Sequence, residues 1–162
     1  MVGIVSQSFT TAGSSMVGQN LGAKKYDRVP KIMRVVLCCS LVFSITLAIA
    51  LIFFSEPIFR MFTTDEEVLA GASIIVLPAI LNLFGAATRS MSFSLINGSG
   101  NTKLNFAIAI IDGIISRIGI AALLGFAAGM GCQGFWYGDA LAGFMPLVIG
   151  LIYFFSGKWR KK

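Results

Sequence analysis

The sequence predicts an all-α integral membrane protein that forms a single membrane domain over residues 1–162. Hydrophobic residues make up 56% of the chain and charged residues 12%, whereas a soluble domain carries about 25% charged residues. Most of the charges lie in short segments between long, largely uncharged blocks, and a helix of about 20 residues crosses the hydrocarbon core. Five such blocks predict transmembrane helices at approximately 2–22, 33–55, 69–96, 104–126 and 135–156.

Composition excludes several classes of function. The chain has no histidine, and its three cysteines, Cys38, Cys39 and Cys132, lack the spacing of a disulfide framework or a zinc site. No pairing of a nucleophile with a base is present, so we expect neither an enzyme nor a bound metal or cofactor. The net charge of +6 comes from residues at the ends of apolar blocks, which argues against a nucleic-acid partner.

The first span combines small and polar residues. Ser14, Gly18 and Gly22 follow one another at one-turn spacing, which predicts a face for close helix packing. Polar side chains are frequent elsewhere in this span, and Gln7 and Thr11 are neighbours four residues apart. We interpret Gln7 and Thr11, with Asn82 of the third span, as candidates for lining a cavity. Hydrogen bonds between helices are the alternative explanation.

Loop charges predict the orientation. The segment after the first span carries five basic residues, Lys103 follows the turn NGSGNT, and the tail GKWRKK carries four. The other two loops are acidic or uncharged, so basic and non-basic loops alternate across five spans. Because basic loops stay in the cytoplasm, the N-terminus is predicted outside and the C-terminus inside the cell membrane.

The later spans are interrupted at recognisable positions. Pro78 in the third span and Pro146 in the fifth predict helix bends. The glycine-rich segment Gly125–Gly134 predicts the turn between the fourth and fifth spans, since so many glycines are unfavourable inside a helix.

Arg89, Asp112, Arg117 and Asp139 fall within predicted spans. Arg89 and Asp112 lie at about equal depth on either side of the turn at Ser99–Gly100, about 12 Å from it at 1.5 Å per residue. Arg117 and Asp139 differ in depth by about 6 Å, which an arginine side chain can reach.

These depths predict two ion pairs between helices, Arg89–Asp112 and Arg117–Asp139. The pairs either hold the bundle together or break between inward-open and outward-open states of a transporter. Because Asp112 and Arg117 are five residues apart, they are expected on different faces of an α-helix.

Three motifs resemble multidrug and toxic compound extrusion (MATE) transporters. VGQNLGAKKYDRV at 17–29 resembles the end of their eighth span, LINGSGNTK at 95–103 the loop after the tenth, and GCQGFWYGDALAGF at 131–144 the start of the twelfth. The resemblance implies that the chain is most of the C-terminal lobe of a twelve-helix transporter. It then lacks the first lobe and the seventh span, and because the chain enters a span at its first residue, a missing upstream segment is expected.

The resemblance also implies a function. MATE transporters are antiporters that export amphipathic, often cationic, compounds in exchange for protons or sodium. The coupling carboxylates of the family lie in the first lobe and in the seventh and tenth spans, and the tenth span here carries Asn82 and Arg89 instead. We therefore expect no visible coupling site unless Asp112 or Asp139 takes part, and we expect the chain to require the missing N-terminal lobe or another membrane polypeptide.

Two alternatives remain open on the sequence. A fragment of a lipid-linked saccharide flippase would show a basic cavity, and Arg89 and Arg117 are compatible with that hypothesis. A non-transporting membrane interaction protein would instead use its glycine-bearing first span to pack against a partner in the lipid bilayer.

Overall fold

The computed structural model describes the backbone of residues 2–61 and 63–161, and the side chains of these residues apart from 2, 67–73 and 161. Within these residues all regular structure is helical, which confirms the all-α prediction. The α-helices, in chain order, are α1 Val2–Gly22, α2 Val29–Arg60, α3 Glu66–Gly98, α4 Thr102–Ile110, α5 Arg117–Ala122, α6 Cys132–Ala142 and α7 Met145–Phe155.

The fourth membrane helix is continuous but not uniform. A π-helical segment, Ile111–Ser116, joins α4 to α5, and a second, Leu123–Ala127, follows α5. The fifth predicted span consists of α6 and α7, which meet at a turn beside Pro146 in the first turn of α7. Proline is tolerated in the first turn of a helix but not further inside it, so the predicted bend takes the form of a helix break.

Four stretches in the described part have the length and hydropathy to cross a membrane: Tyr26–Arg60, Ile74–Gly98, Thr102–Ala127 and Cys132–Phe155. They correspond to the second to fifth predicted spans. α1 extends over the first predicted span but is not among the four, because hydroxyl and amide side chains lower its hydropathy. That α1 crosses the membrane therefore stays a prediction.

α1, α3 and α7 all end at the same side of the bundle. Left-handed residues stop these helices at Lys24, Gly100 and Gly157, whose φ values are 56°, 65° and 66°. The α1 turn closes with hydrogen bonds from the amides of Lys24 and Lys25 to the last turn of the helix, the pattern of a Schellman motif.

α3 lies at the centre of the bundle and contacts α1, α2, α6 and α7. Two crossings depend on glycine. A Cβ on Gly85 would lie 3.3 Å from the backbone of Gly143, and a Cβ on Gly98 would lie 2.6 Å from the side chain of Val17. Such close approach replaces the hydrophobic driving force that helices lack in lipid.

The packing face of α1 differs from the predicted one. A Cβ on Gly18 would lie 3.3 Å from the carbonyl of Gly98, and the carbonyl of Ser14 packs on the same glycine. Gly22, however, is exposed and a Cβ there would meet nothing within 4 Å, so it takes no part in this interface. Gly13, which the spacing missed, is buried against Ser94 of α3. The interface rotates along α1 because 3.6 residues per turn do not keep a strict four-residue repeat on one face.

Candidate functional site

The site centres on Arg89 and Asp112, which connect α3 with the fourth membrane helix. Nη2 of Arg89 lies 3.1 Å from each carboxylate oxygen of Asp112. The side chain of Asp112 is 9% exposed and that of Arg89 29%. Nε of Arg89 is buried and has no hydrogen-bond partner. The structure thus brings together the first predicted pair and leaves one donor of its arginine unsatisfied.

Asp139 of α6 receives two donors. Nη1 of Arg117 contacts its Oδ1, and Nδ2 of Asn82 donates to its Oδ2 at 2.8 Å. Asn82 and Arg89 are seven residues apart on α3, two turns along the same face. The second predicted pair therefore also lies in contact, with Asn82 as an additional partner that links it to α3.

The two pairs form one charge cluster, defined by Arg89, Asp112, Arg117 and Asp139. The two pairs are linked through α3, since Asn82, which donates to Asp139, lies two turns before Arg89. Asp112 belongs to the π-helical segment, and Arg117 follows it directly. Residues five apart are about 140° apart in an α-helix, whereas the i→i+5 bonding of a π turn brings them closer to alignment. Asp112 pairs with α3 and Arg117 with α6, so the two residues contact different neighbouring helices, as their predicted position on different faces allows.

A cavity of about 610 Å³ lies beside the cluster, between α1, α3 and α4. Gln7, Thr11 and Asn82 line it, as does Arg89. All three candidate lining residues thus face one space, although the hydroxyl of Thr11 also donates to the carbonyl of its own helix at Gln7.

The lining residues of this cavity that were not predicted from the sequence include Phe93, Asn97 and Asn105. The depth argument that places Arg89 opposite Asp112 also places Asn97 opposite Asn105, at the same turn. The sequence therefore contained this signal, but the depth argument was applied only to charged residues inside the predicted spans.

A second cavity, of about 300 Å³, lies on the other side of Asn82. Its walls are mainly apolar and include Pro78 and Trp136, while Asn82 and Asp139 supply the polar groups. Asn82 therefore borders both cavities, and its amide binds the carboxylate of the second pair.

Hydroxyl groups also join α1 to α3. The Oγ atoms of Ser6 and Ser90 lie 2.7 Å apart, and Ser94 donates to the carbonyl of Thr10 at 3.3 Å. Part of the polar character of α1 therefore serves hydrogen bonds between helices, and another part lines the large cavity.

This fold and site define an all-helical membrane protein with a neutral ion-pair cluster beside a polar cavity. Ionisable residues at such depth are costly and mark either a pathway or a structural partner. Among the described residues no group of three or more His, Cys, Asp or Glu side chains is placed to hold a metal ion.

Comparison with known proteins identifies the family. The MatE family model matches residues 1–123, and the chain belongs to this family. It is 28% identical over 153 residues to the probable multidrug resistance protein NorM of Thermotoga maritima, covering 94% of this chain and 33% of NorM. It is 26% identical to human multidrug and toxin extrusion protein 1, covering 99% of this chain and 28% of that protein.

A third relative is the multidrug resistance protein MdtK of Photorhabdus laumondii, which is 30% identical over 135 residues. The match covers 81% of this chain and 30% of MdtK. The chain thus spans about a third of the length of these curated relatives. No solved structure matches it.

Proposed function

We propose that this chain supplies part of a secondary active exporter that moves amphipathic or cationic compounds out of the cell in exchange for protons or sodium. Membership of the MatE family and the names of the three relatives support multidrug export. The distribution of basic residues supports an N-terminus outside and a cytoplasmic C-terminus.

The observation that carries the proposal is the neutral charge cluster beside the two cavities. Two arginines and two aspartates from three segments of the chain form two ion pairs whose charges balance, so an exchange of partners would leave no isolated charge in the membrane. If the ion pairs only held the helices together, they would not need to border a cavity. A cluster whose member Asp139 borders a cavity and whose partner Asn82 borders two is also placed to respond to what those cavities hold.

The exposed surface of α1 supports a partner for the chain. Gln7, Ser8, Thr11, Ser15 and Gln19 are all exposed along this helix. Polar side chains within a membrane face protein or water rather than lipid tails. We propose that this face packs across a water-filled pathway from a further membrane segment, in the same polypeptide or another one, and that the chain alone does not transport.

No cofactor is proposed, and the coupling ion is a proton or sodium. Both aspartates of the cluster already have an arginine partner. An ion therefore couples either through a carboxylate supplied by the further segment or through an aspartate released when the pairs rearrange.

The proposal is tested with a chimera in which this chain replaces the matching segment of Thermotoga maritima NorM. Ethidium accumulation is measured in bacteria that lack their own multidrug exporters. We expect the chimera to lower ethidium accumulation and this chain alone to leave it unchanged. A chimera that reaches the membrane at the level of NorM but does not lower accumulation would overturn export and favour a non-transporting interaction protein.

A matched pair of variants separates the site from the rest of the chain. R89Q removes a cation from the cluster, whereas R60Q removes one from an exposed pair with Glu56. We expect R89Q to abolish export by the chimera at unchanged membrane level and R60Q to leave export intact. Equal export by both variants would show that the cluster is not part of the transport machinery.

A further inference from the structure

One end of the helix bundle collects cations that have no anionic partner. The exposed cationic side chains at this end are Lys24, Lys25, Arg28, Lys31, Arg34, Lys103, Lys158 and Arg160. The ion pairs at Arg60, Arg89 and Arg117 involve none of these cations. Among the described residues 23–34, 97–103 and 156–160, Asp27 is the one residue with a carboxylate side chain. Such a surface is complementary to a layer of negative charge.

Trp159 joins two parts of this surface that are far apart in sequence. Its side chain is 1% exposed, and its Nε1 donates to the carbonyl of Phe154 at 2.9 Å. Its ring stacks on Phe154 and meets the ring of Tyr26 edge-on at a centroid distance of 6.4 Å. The tail therefore folds back against the first connection, and Lys158 and Arg160 lie beside the segment Lys24–Arg28.

The backbone at Lys24 is unusual in the same place. This residue has φ 56°, while glycine occupies the left-handed positions at 100 and 157 that end the other two helices at this side. A side chain makes the left-handed conformation unfavourable, so glycine is the residue expected there. A lysine in a strained backbone conformation is consistent with a binding role for its ammonium group.

We infer that the segment Lys24–Arg28 and the tail Lys158–Arg160 form one binding surface for the phosphate headgroups of anionic glycerophospholipids. These cations adjoin the ends of predicted membrane helices, at the level where lipid phosphates lie, and clusters of four to eight basic residues in this position bind anionic headgroups. An aromatic ring such as Trp159 is typical of the same interfacial layer.

The test uses the full chain in phosphatidylcholine vesicles with a trace of spin-labelled lipid. Electron spin resonance gives the association constant of labelled phosphatidylglycerol relative to labelled phosphatidylcholine. We expect the protein to prefer phosphatidylglycerol, and we expect the triple variant K24Q/K25Q/R28Q to lower that preference at least about fivefold, the effect of one cation near the surface. An unchanged preference in this variant overturns the inference.

Tryptophan variants test whether the tail and the first connection act as one surface. W159A keeps all cations but removes the ring that packs against Tyr26 and Phe154, and we expect it to lose the preference for phosphatidylglycerol. W159F keeps an aromatic ring at this position, and we expect it to retain that preference. W136A changes the other tryptophan, which is half exposed and borders the apolar cavity, and we expect no effect. An equal preference for phosphatidylglycerol in W159A and W159F would show that Trp159 does not hold the two parts of the surface together.

Free phosphate is distinguished by competition. Millimolar inorganic phosphate is compared with sodium chloride of the same ionic strength, and for a lipid surface we expect both salts to weaken the preference equally. A stronger effect of phosphate would show a site for the free anion and overturn the assignment to lipid. Because vesicle binding needs no transport, failure of this inference leaves the proposed export untouched, and failure of export leaves this inference untouched.

Discussion

Replacing Asp112 by asparagine is expected to destabilise the protein by about 3 kcal/mol, because the change leaves the guanidinium of Arg89 without its anion in a membrane helix. Arg89 is 29% exposed and Asp112 9%, so we take the lower end of the range of 3–5 kcal/mol observed when one partner of a buried pair is removed. R89Q is expected to cost a similar amount, since it leaves Asp112 with a neutral neighbour.

The assay is unfolding by SDS in mixed micelles, followed by tryptophan fluorescence, with both single variants and the double variant R89Q/D112N. If the two side chains form a pair, the double variant costs about 2–3 kcal/mol less than the sum of the single variants. A double variant that costs as much as the sum would refute the pair. The charge-reversed variant R89D/D112R should recover only part of the loss, because the reversed pair does not reproduce the contact of one guanidinium nitrogen with both carboxylate oxygens.

A second cycle at an exposed pair provides the control. Arg60 and Glu56 lie 2.9 Å apart with side chains 54% and 69% exposed. A pair of this kind, four residues apart on a helix, contributes about 0.3–0.5 kcal/mol. A coupling energy at this control as large as that at Arg89–Asp112 would mean that the assay does not report burial of the pair.

The same unfolding assay checks three further predictions. G98A is expected to cost about 1–3 kcal/mol, because its Cβ would lie 2.6 Å from a side chain of α1; G113A, whose Cβ would meet nothing within 4 Å, should cost nothing, and equal effects would contradict the close crossing. K24G is expected to stabilise by about 1 kcal/mol, since glycine accepts φ 56° without strain; a loss of stability would show that the lysine side chain holds the turn. Y153F removes the hydrogen bond of 3.0 Å between this hydroxyl and Ser99 and is expected to cost about 1 kcal/mol; an unchanged midpoint would mean that the bond adds nothing.

Much of this architecture follows from the sequence because lipid imposes strong rules. Uncharged blocks of about 20 residues predicted the helices, and the structure shows helices that extend a few residues beyond the predicted bounds of the second and third spans. Counting residues back from the turns at 99–100 and 129–131 placed Arg89 opposite Asp112 and Arg117 near Asp139. The structure places both pairs in contact.

Other features depend on local backbone geometry that residue spacing does not reveal. The π-helical segment at Ile111–Ser116 leaves no sequence pattern, so the angle between Asp112 and Arg117 was predicted from α-helical geometry. The role of Gly13 in place of Gly22 depends on the angle at which α1 crosses α3, which small-residue spacing alone does not determine. Asn82 was predicted as a lining residue, but its bond to Asp139 required the packing of α3 against α6 to be known.

Whether the cluster switches or only clamps can be decided at Asp112. Exchange of partners requires both aspartates, since each arginine must find a carboxylate in every state if no charge is to be left isolated in the membrane. The π turn reduces the angle between Asp112 and Arg117, and an exchange in which Asp112 takes Arg117 while Asp139 takes Arg89 keeps all four charges paired. In the NorM chimera we therefore expect D112N to abolish ethidium export although Asp139 is retained. Export by D112N at the level of the unmodified chimera, measured at equal membrane abundance, would instead mean that the Arg89–Asp112 pair only holds the helices together.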